Sequence, residues 1–189
     1  GTHPSISVIM DLVLNHSYGT NPLVRMYWNS STGQPASNNP WFNVTSPNTA
    51  FSWGYDFNHA SALTQAFADS VCRYWIEEFR VDGFRFDFTK GFTNTTGDGW
   101  AYDASRIAIL NRLGDRIRSY KPDAILILEH FADNNEEKEL AANGFLLWGS
   151  TKERYQAAST SLSNRNMLIA SDASWISRGF TVPGLVDYM

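Results

Sequence analysis

The chain has 189 residues, 43% of them hydrophobic and 18% charged, a balance that supports a buried core and excludes an unstructured polymer. Its net charge of -4 at pH 7, with no block of Lys or Arg, carries none of the electrostatic footprint of a nucleic-acid or anionic-membrane binder. No apolar stretch approaches the roughly eighteen residues needed to cross a bilayer, no signal-peptide core opens the chain, and the single Cys72 lies in an apolar helical pattern that predicts a buried thiol.

Residues 6–14 form an apolar run broken by Ser7 and Asp11 and followed at once by Asn15, His16 and Ser17, the pattern of a buried parallel strand with polar residues at its C-terminal end. Over residues 18–55, Asn, Ser, Thr, Pro, Gly and Trp accumulate without helical or strand period, which predicts a long functional excursion. Apolar residues at Leu63, Phe67, Val71, Trp75 and Phe79 then recur every fourth position and predict a helix over 60–79. Residues 81–88 read as the next strand, with Phe84, Phe86 and Phe88 on one side and Arg85 and Asp87 on the other.

The helical rhythm returns over 102–120 through Ile107, Leu110, Leu113 and Ile117, and Lys121-Pro122-Asp123 stops it before a strand at 125–128. Glu129 falls just past that strand. A charged helix near 135–142, a strand at 145–148, a helix near 152–162 and an apolar run from Val182 continue the alternation. Four or five βα units in series predict an α/β fold with a parallel sheet, about half of an eightfold barrel.

Three strand ends carry polar or ionisable side chains: Asp11 with Asn15 and His16, Arg85 with Asp87, and Glu129 with His130. Parallel barrel strands all point one way, so these groups converge on one rim, where barrel enzymes keep their active sites. Two carboxylates on neighbouring strands suit glycosidic cleavage, one attacking the anomeric carbon and one protonating the leaving oxygen. Asp87 and Glu129 are the candidates. Arg85, two residues before Asp87 on the same strand face, would keep that carboxylate ionised, and the apolar run before Glu129 would raise its pKa toward the acid role.

In this order and spacing the residues resemble the α-amylase family of glycoside hydrolases. Asp11-Leu-Val-Leu-Asn15-His16 is similar to its first conserved segment, Gly83-Phe-Arg85-Phe-Asp87-Phe-Thr-Lys90 to the second, Ile127-Leu-Glu129 to the third, and Asp56-Phe-Asn58 to the segment that closes its inserted domain. The resemblance implies a (β/α)8 TIM barrel, with residues 1–17 and 56–189 as a partial barrel of about strands three to seven and residues 18–55 as a short inserted domain B after the third strand. It implies retaining hydrolysis of α-glucosidic bonds in starch-like glucans or malto-oligosaccharides, with Asp87 as nucleophile, Glu129 as acid/base and Arg85 against the nucleophile. His16, Lys90 and Asp11 are the expected sugar-binding residues around them, Asp11 partly as a structural partner of the arginine; apart from the resemblance, Trp148 reads either as a sugar-subsite residue or as a strand-end core tryptophan, and His130, beside Glu129, as a neighbour that could tune it at the substrate site. Asn15 matches a calcium-ligating position, so calcium is the one cofactor implied. Lys90 is followed by Gly91 where the family often has His. The family also favours an extracytoplasmic location.

A third catalytic carboxylate would belong to a His-Asp pair, and no such dipeptide occurs; Asp172 reads as a turn residue, Asp187 lies in the strand that would lead to the segment, and the pair is expected beyond Met189. Because the chain enters its first strand almost directly after Gly1, it is expected to be a piece of a longer protein. Glucan transfer and a non-catalytic carbohydrate-binding relative stay open as alternatives. Trp41, Trp53 and Tyr55 are candidates for stacking sugar rings, with loop packing as the bland alternative. His3 and His59 are expected as solvated or satisfied histidines, and the Asn43-Val-Thr45 and Asn94-Thr-Thr96 triplets match glycosylation acceptors.

Overall fold

The structure is a computed structural model that describes residues 6–150 and 185–188. In chain order it contains β1 (Ile9–Leu12), β2 (His16–Ser17), α1 (Pro22–Met26), β3 (Trp28–Asn29), β4 (Gln34–Pro35) and β5 (Tyr55–Asp56). There follow α2 (Ala62–Phe79), β6 (Gly83–Phe86), a 3-10 turn (Thr89–Gly91), α3 (Ala104–Arg118), β7 (Ile125–Leu128), α4 (Asn134–Ala142), β8 (Leu146–Ser150) and β9 (Leu185–Tyr188). The helix expected near 152–162, together with His3 and Asp172, lies outside the described residues.

Among the described residues the main sheet has five strands in the order β1-β6-β7-β8-β9, every pairing parallel. The α/β expectation with a parallel sheet therefore holds. Alternation divides the sheet faces: Leu12, Phe84, Phe86, Leu126, Leu128 and Leu147 are buried in one core with α2, α3 and α4, while Asp11 and Arg85 share a register row on the other face. Each fully buried Phe or Leu contributes on the order of 1.5–3 kcal/mol by leaving water. Gly83 is a point of close approach, since a Cβ there would lie 1.9 Å from the Ile125 carbonyl oxygen.

Helix α2 starts where Ser61 accepts from the Leu63 N–H and ends at Arg80, in the left-handed region at φ 57°. Its most buried line is not the large apolar stripe. Thr64, Ala68, Cys72 and Ile76 face the core, whereas Leu63 and Phe79 are 50% and 57% exposed. Small residues allow close approach along the centre of the contact, and Phe67, Val71 and Trp75 pack along its edge. The Cys72 thiol is buried as expected, and burial pushes its pKa up to about 12.

Residues 18–54 do contain short elements: α1, capped by Asn21 with Pro22 in its first turn, and the small antiparallel pair β3–β4. Elements of two to five residues are too short to leave a period in the sequence. β2 pairs with β5, so the excursion leaves and rejoins the chain at neighbouring points, over a second small core of Val24, Phe42 and Phe57.

Candidate active site

β6 ends at Phe86, and the Asp87 N–H continues the ladder to the Leu12 carbonyl before the chain turns sharply. Phe88 takes φ 45°, a left-handed conformation that costs a bulky residue on the order of 1–3 kcal/mol. Phe88 thus leaves the strand instead of sharing the side of Phe84 and Phe86, and its ring packs 5.0 Å from Trp53. Phe131, two residues past Glu129, is likewise left-handed at φ 48°. Both carboxylate-bearing turns are therefore strained.

Arg85 joins the site. Its Nη1 lies 2.9 Å from Asp11 Oδ1 and 2.8 Å from Asp87 Oδ1, and its Nη2 lies 2.8 Å from Glu129 Oε2. The planar guanidinium meets several acceptors at once, which an ammonium on a flexible stem does less well. Burial opposes the Arg85 charge, but its bonds to Asp11 and Asp87 and the nearby Glu129 outweigh burial and raise its pKa. The half-buried Trp148 of β8 lies beneath it, with Arg85 Cζ 4.2 Å from the ring centroid, so the ring supports the arginine.

Glu129 Oε2 also accepts the Phe88 N–H at 3.1 Å, so this oxygen is committed to two donors. Burial raises the Glu129 pKa; the Phe88 N–H and Arg85 oppose the rise, while the charge of Asp87 and a hydrogen bond with it add to it. A carboxyl whose pKa is raised beside an arginine-bound carboxylate has the direction of shift that a general acid needs.

His16 is half-buried on β2. Its Nδ1 lies 3.2 Å from Asn15 Nδ2 and accepts that donor, which places a neutral ring's hydrogen on Nε2. Burial lowers its pKa against the opposing pull of Asp87, so the ring is a neutral donor near pH 7. Its ring packs edge-on to Tyr18 at 5.5 Å and 6.1 Å from Trp53. Exposed Tyr18 and Trp53 flank the histidine with flat apolar surface of the kind sugars stack on. Trp41 instead packs against the second core, and the Tyr55 ring lies 5.5 Å from Trp28.

Two expected substrate-site residues need correction. His130 is fully buried: its Nε2 lies 2.8 Å from Glu136 Oε1 and its Nδ1 3.0 Å from Thr89 Oγ1, so it faces the protein interior and not a ligand. The polar residues behind the strand ends pair with one another, and that pairing turns the ring inward. Lys90 is also buried, its ammonium 3.5 Å from the Trp100 ring centroid and near Phe51 and Phe88. Aromatic faces cover this cation, so Lys90 packs against protein in this structure. His59 is the satisfied core histidine expected, bonded at 2.8 Å to the Leu14 carbonyl and stacked on Phe92; burial takes its pKa down to about 4.

Asn15 Oδ1 is buried and has no hydrogen-bond partner among the described residues. A Cβ at residue 91 would lie 1.8 Å from it, which explains Gly91 in place of His: the Asn15 amide occupies that space. Among the described residues no group of three or more His, Cys, Asp or Glu could hold a metal, so Asn15 offers one oxygen toward the roughly six to eight that calcium takes. The side-chain amides of Asn43 and Asn94 bond to Asp56 and Asn58 and to each other, so neither triplet presents a free acceptor.

No family model and no curated protein matches this chain. Among solved structures it is similar to the pullulanase of Anoxybacillus sp. LM18-11, at 22% identity and a TM-score of 0.63 over 97% of this chain and 26% of that one. It is similar to Amy13B of Eubacterium rectale at 22% identity and a TM-score of 0.59, over 77% of this chain and 31% of that one. A maltogenic α-amylase, AmyB of Thermotoga neapolitana, matches at 19% identity and a TM-score of 0.52, over 80% of this chain and 30% of that one. At such identities the likeness shows the fold. The chain thus spans 26% to 31% of the length of these amylase-type enzymes. No helix among the described residues is long and apolar enough to cross a membrane.

Four features of the site escape sequence reading: the Phe88 N–H, Thr89, Arg106 and Glu136. A backbone donor has no residue signature. Arg106 and Glu136 sit in helices that read as ordinary charged surface, yet both are buried.

Proposed function

We propose that this chain is part of the catalytic barrel of a retaining α-glucan hydrolase, with Asp87 as nucleophile and Glu129 as acid/base. The observation that carries it is the arginine that gathers the two carboxyls: Arg85 Nη1 lies 2.8 Å from Asp87 Oδ1 and its Nη2 2.8 Å from Glu129 Oε2. A retaining glycosidase uses two such carboxyls, one as nucleophile and one as acid and then base. Strand order that follows chain order supports a barrel, and residues 18–55 form its inserted region.

Asp87 Oδ2, the oxygen not bonded to Arg85, attacks the anomeric carbon as its bond to the leaving sugar breaks. The proton on Glu129 passes to the departing oxygen. Water then attacks the same carbon, gives its proton to Glu129 and releases Asp87. A sugar ring enters beside the two carboxyls, and the Nε2–H of His16 donates to a ring hydroxyl. The Anoxybacillus pullulanase was solved in complex with maltotriose, which supports malto-oligosaccharides as the substrate class. Calcium has no step in this chemistry.

The full-length protein should release reducing sugar from soluble starch or pullulan, with the α-anomer appearing first by proton NMR. First appearance of the β-anomer overturns retention, and no release from either glucan overturns the hydrolase.

A further inference from the structure

Behind the two carboxylates lies a chain of buried polar side chains that the chemistry above does not use. Thr89, His130, Glu136 and Arg106 are 0%, 0%, 0% and 1% exposed. Buried polar groups at this depth are tolerated only when satisfied, and here each bond runs toward the reacting turns. The Glu129 carbonyl accepts the Thr89 N–H at 2.9 Å and the Thr89 hydroxyl at 3.1 Å. That hydroxyl also meets His130 Nδ1 at 3.0 Å, and His130 Nε2 meets Glu136 Oε1 at 2.8 Å. Arg106 Nε donates to Glu136 Oε1 and its Nη2 to Oε2 at 2.7 Å, closing a two-point pair. The remaining contacts reach the other turn, with Arg106 Nη1 2.8 Å from the Lys90 carbonyl and Nη2 3.0 Å from that of Ala101.

We infer that Thr89, His130, Glu136 and Arg106 act together as a positioning device that holds the Glu129 carboxyl in place against Arg85 and the Phe88 N–H. The inference rests on the proposed hydrolase. The network clamps both sides of the site: Thr89 adjoins the left-handed Phe88, and His130 adjoins the left-handed Phe131. Strained turns persist only where their surroundings over-determine them, and these bonds do so here. Phe88 is therefore kept with its N–H aimed at Glu129 Oε2, and Glu129 is fixed by its N–H to the Phe86 carbonyl and its carbonyl to Thr89. None of the four residues touches the reacting atoms.

The test uses the full-length protein on an α-glucan, with Thr89→Val, which keeps size and the backbone N–H, and Thr89→Ser, which keeps the hydroxyl. Thr89→Val should lower kcat about tenfold, leave KM within about twofold and displace the alkaline limb of the kcat–pH profile, while Thr89→Ser stays within about twofold of wild type. Should Thr89→Val not fold, Arg106→Lys takes its place with the same readout, because lysine keeps a cation but cannot reach both carbonyls. Wild-type kcat and pH profile in the folded variant overturn the positioning role, and so does failure of both variants to fold, which assigns the network to stability alone. An inactive wild-type protein would overturn the hydrolase itself and this inference with it.

Discussion

Two arginines organise this molecule, and they do so in opposite ways. Arg85 meets three carboxylates at the half-open strand ends, leaving an excess of negative charge around a single cation. Arg106 meets one carboxylate and two backbone carbonyls in the interior, where each charge has its partner. Balance with burial builds scaffold. Imbalance with partial exposure raises the pKa of Glu129, the direction that the proposed acid role requires.

The largest effect expected from breaking this contrast is at Asp87. Asp87→Asn in the full-length protein removes the proposed nucleophile and should lower kcat by a factor on the order of 10⁴ with little change in thermal stability. Near-normal turnover of starch would sink the assignment. The opposite profile is expected at Arg106. Arg106→Met leaves the Glu136 charge buried with only His130 and the Asp103 N–H as partners and should cost on the order of 3–5 kcal/mol in urea denaturation, with Glu136→Gln added to it recovering part of the loss by removing that charge. A single variant as stable as wild type would show that the interior pair is not balanced as described.

The strand ends were legible in the sequence because residue type and position agree there. Arg85 and Asp87 alternate with the buried Phe84 and Phe86, and Glu129 follows an uninterrupted apolar strand, so period and chain order alone place the three together. The interior network was not legible, since nothing in Asn-Asn-Glu-Glu-Lys distinguishes the buried Glu136 from the exposed Lys138. Its burial depends on α3 and α4 packing together, a tertiary fact. His130 shows the same limit: adjacency to Glu129 suggested a neighbour that tunes the substrate site, while its ring bonds to Glu136 in the interior. For α2 the rhythm marked the helix but not its most buried line, because the small residues that permit close approach carry a weak hydrophobic signal.

Asp56 supplies the intermediate case, a buried carboxyl with no cation in bonding reach among the described residues. Its oxygens accept from Asn43 Nδ2 at 2.7 Å and Ser46 Oγ at 3.4 Å. Burial raises its pKa from 3.8 to about 6, against the lowering effect of those two bonds. Below pH 3.8 the group is protonated whether the chain is folded or not, and this contribution to stability is fully present. Between pH 3.8 and about 6 the unfolded chain gives up the proton and the native state keeps it, so stability falls as pH rises and levels off above that window. Asp56→Asn removes the ionisation while its amide oxygen can still accept from Asn43. Melts at pH 4 and pH 8 should therefore show a gain of about 3 kcal/mol at pH 8 and little at pH 4. Equal destabilisation at both values would mean that the Asn43 and Ser46 bonds dominate, and that a buried carboxyl here is satisfied without the cation that Glu136 requires.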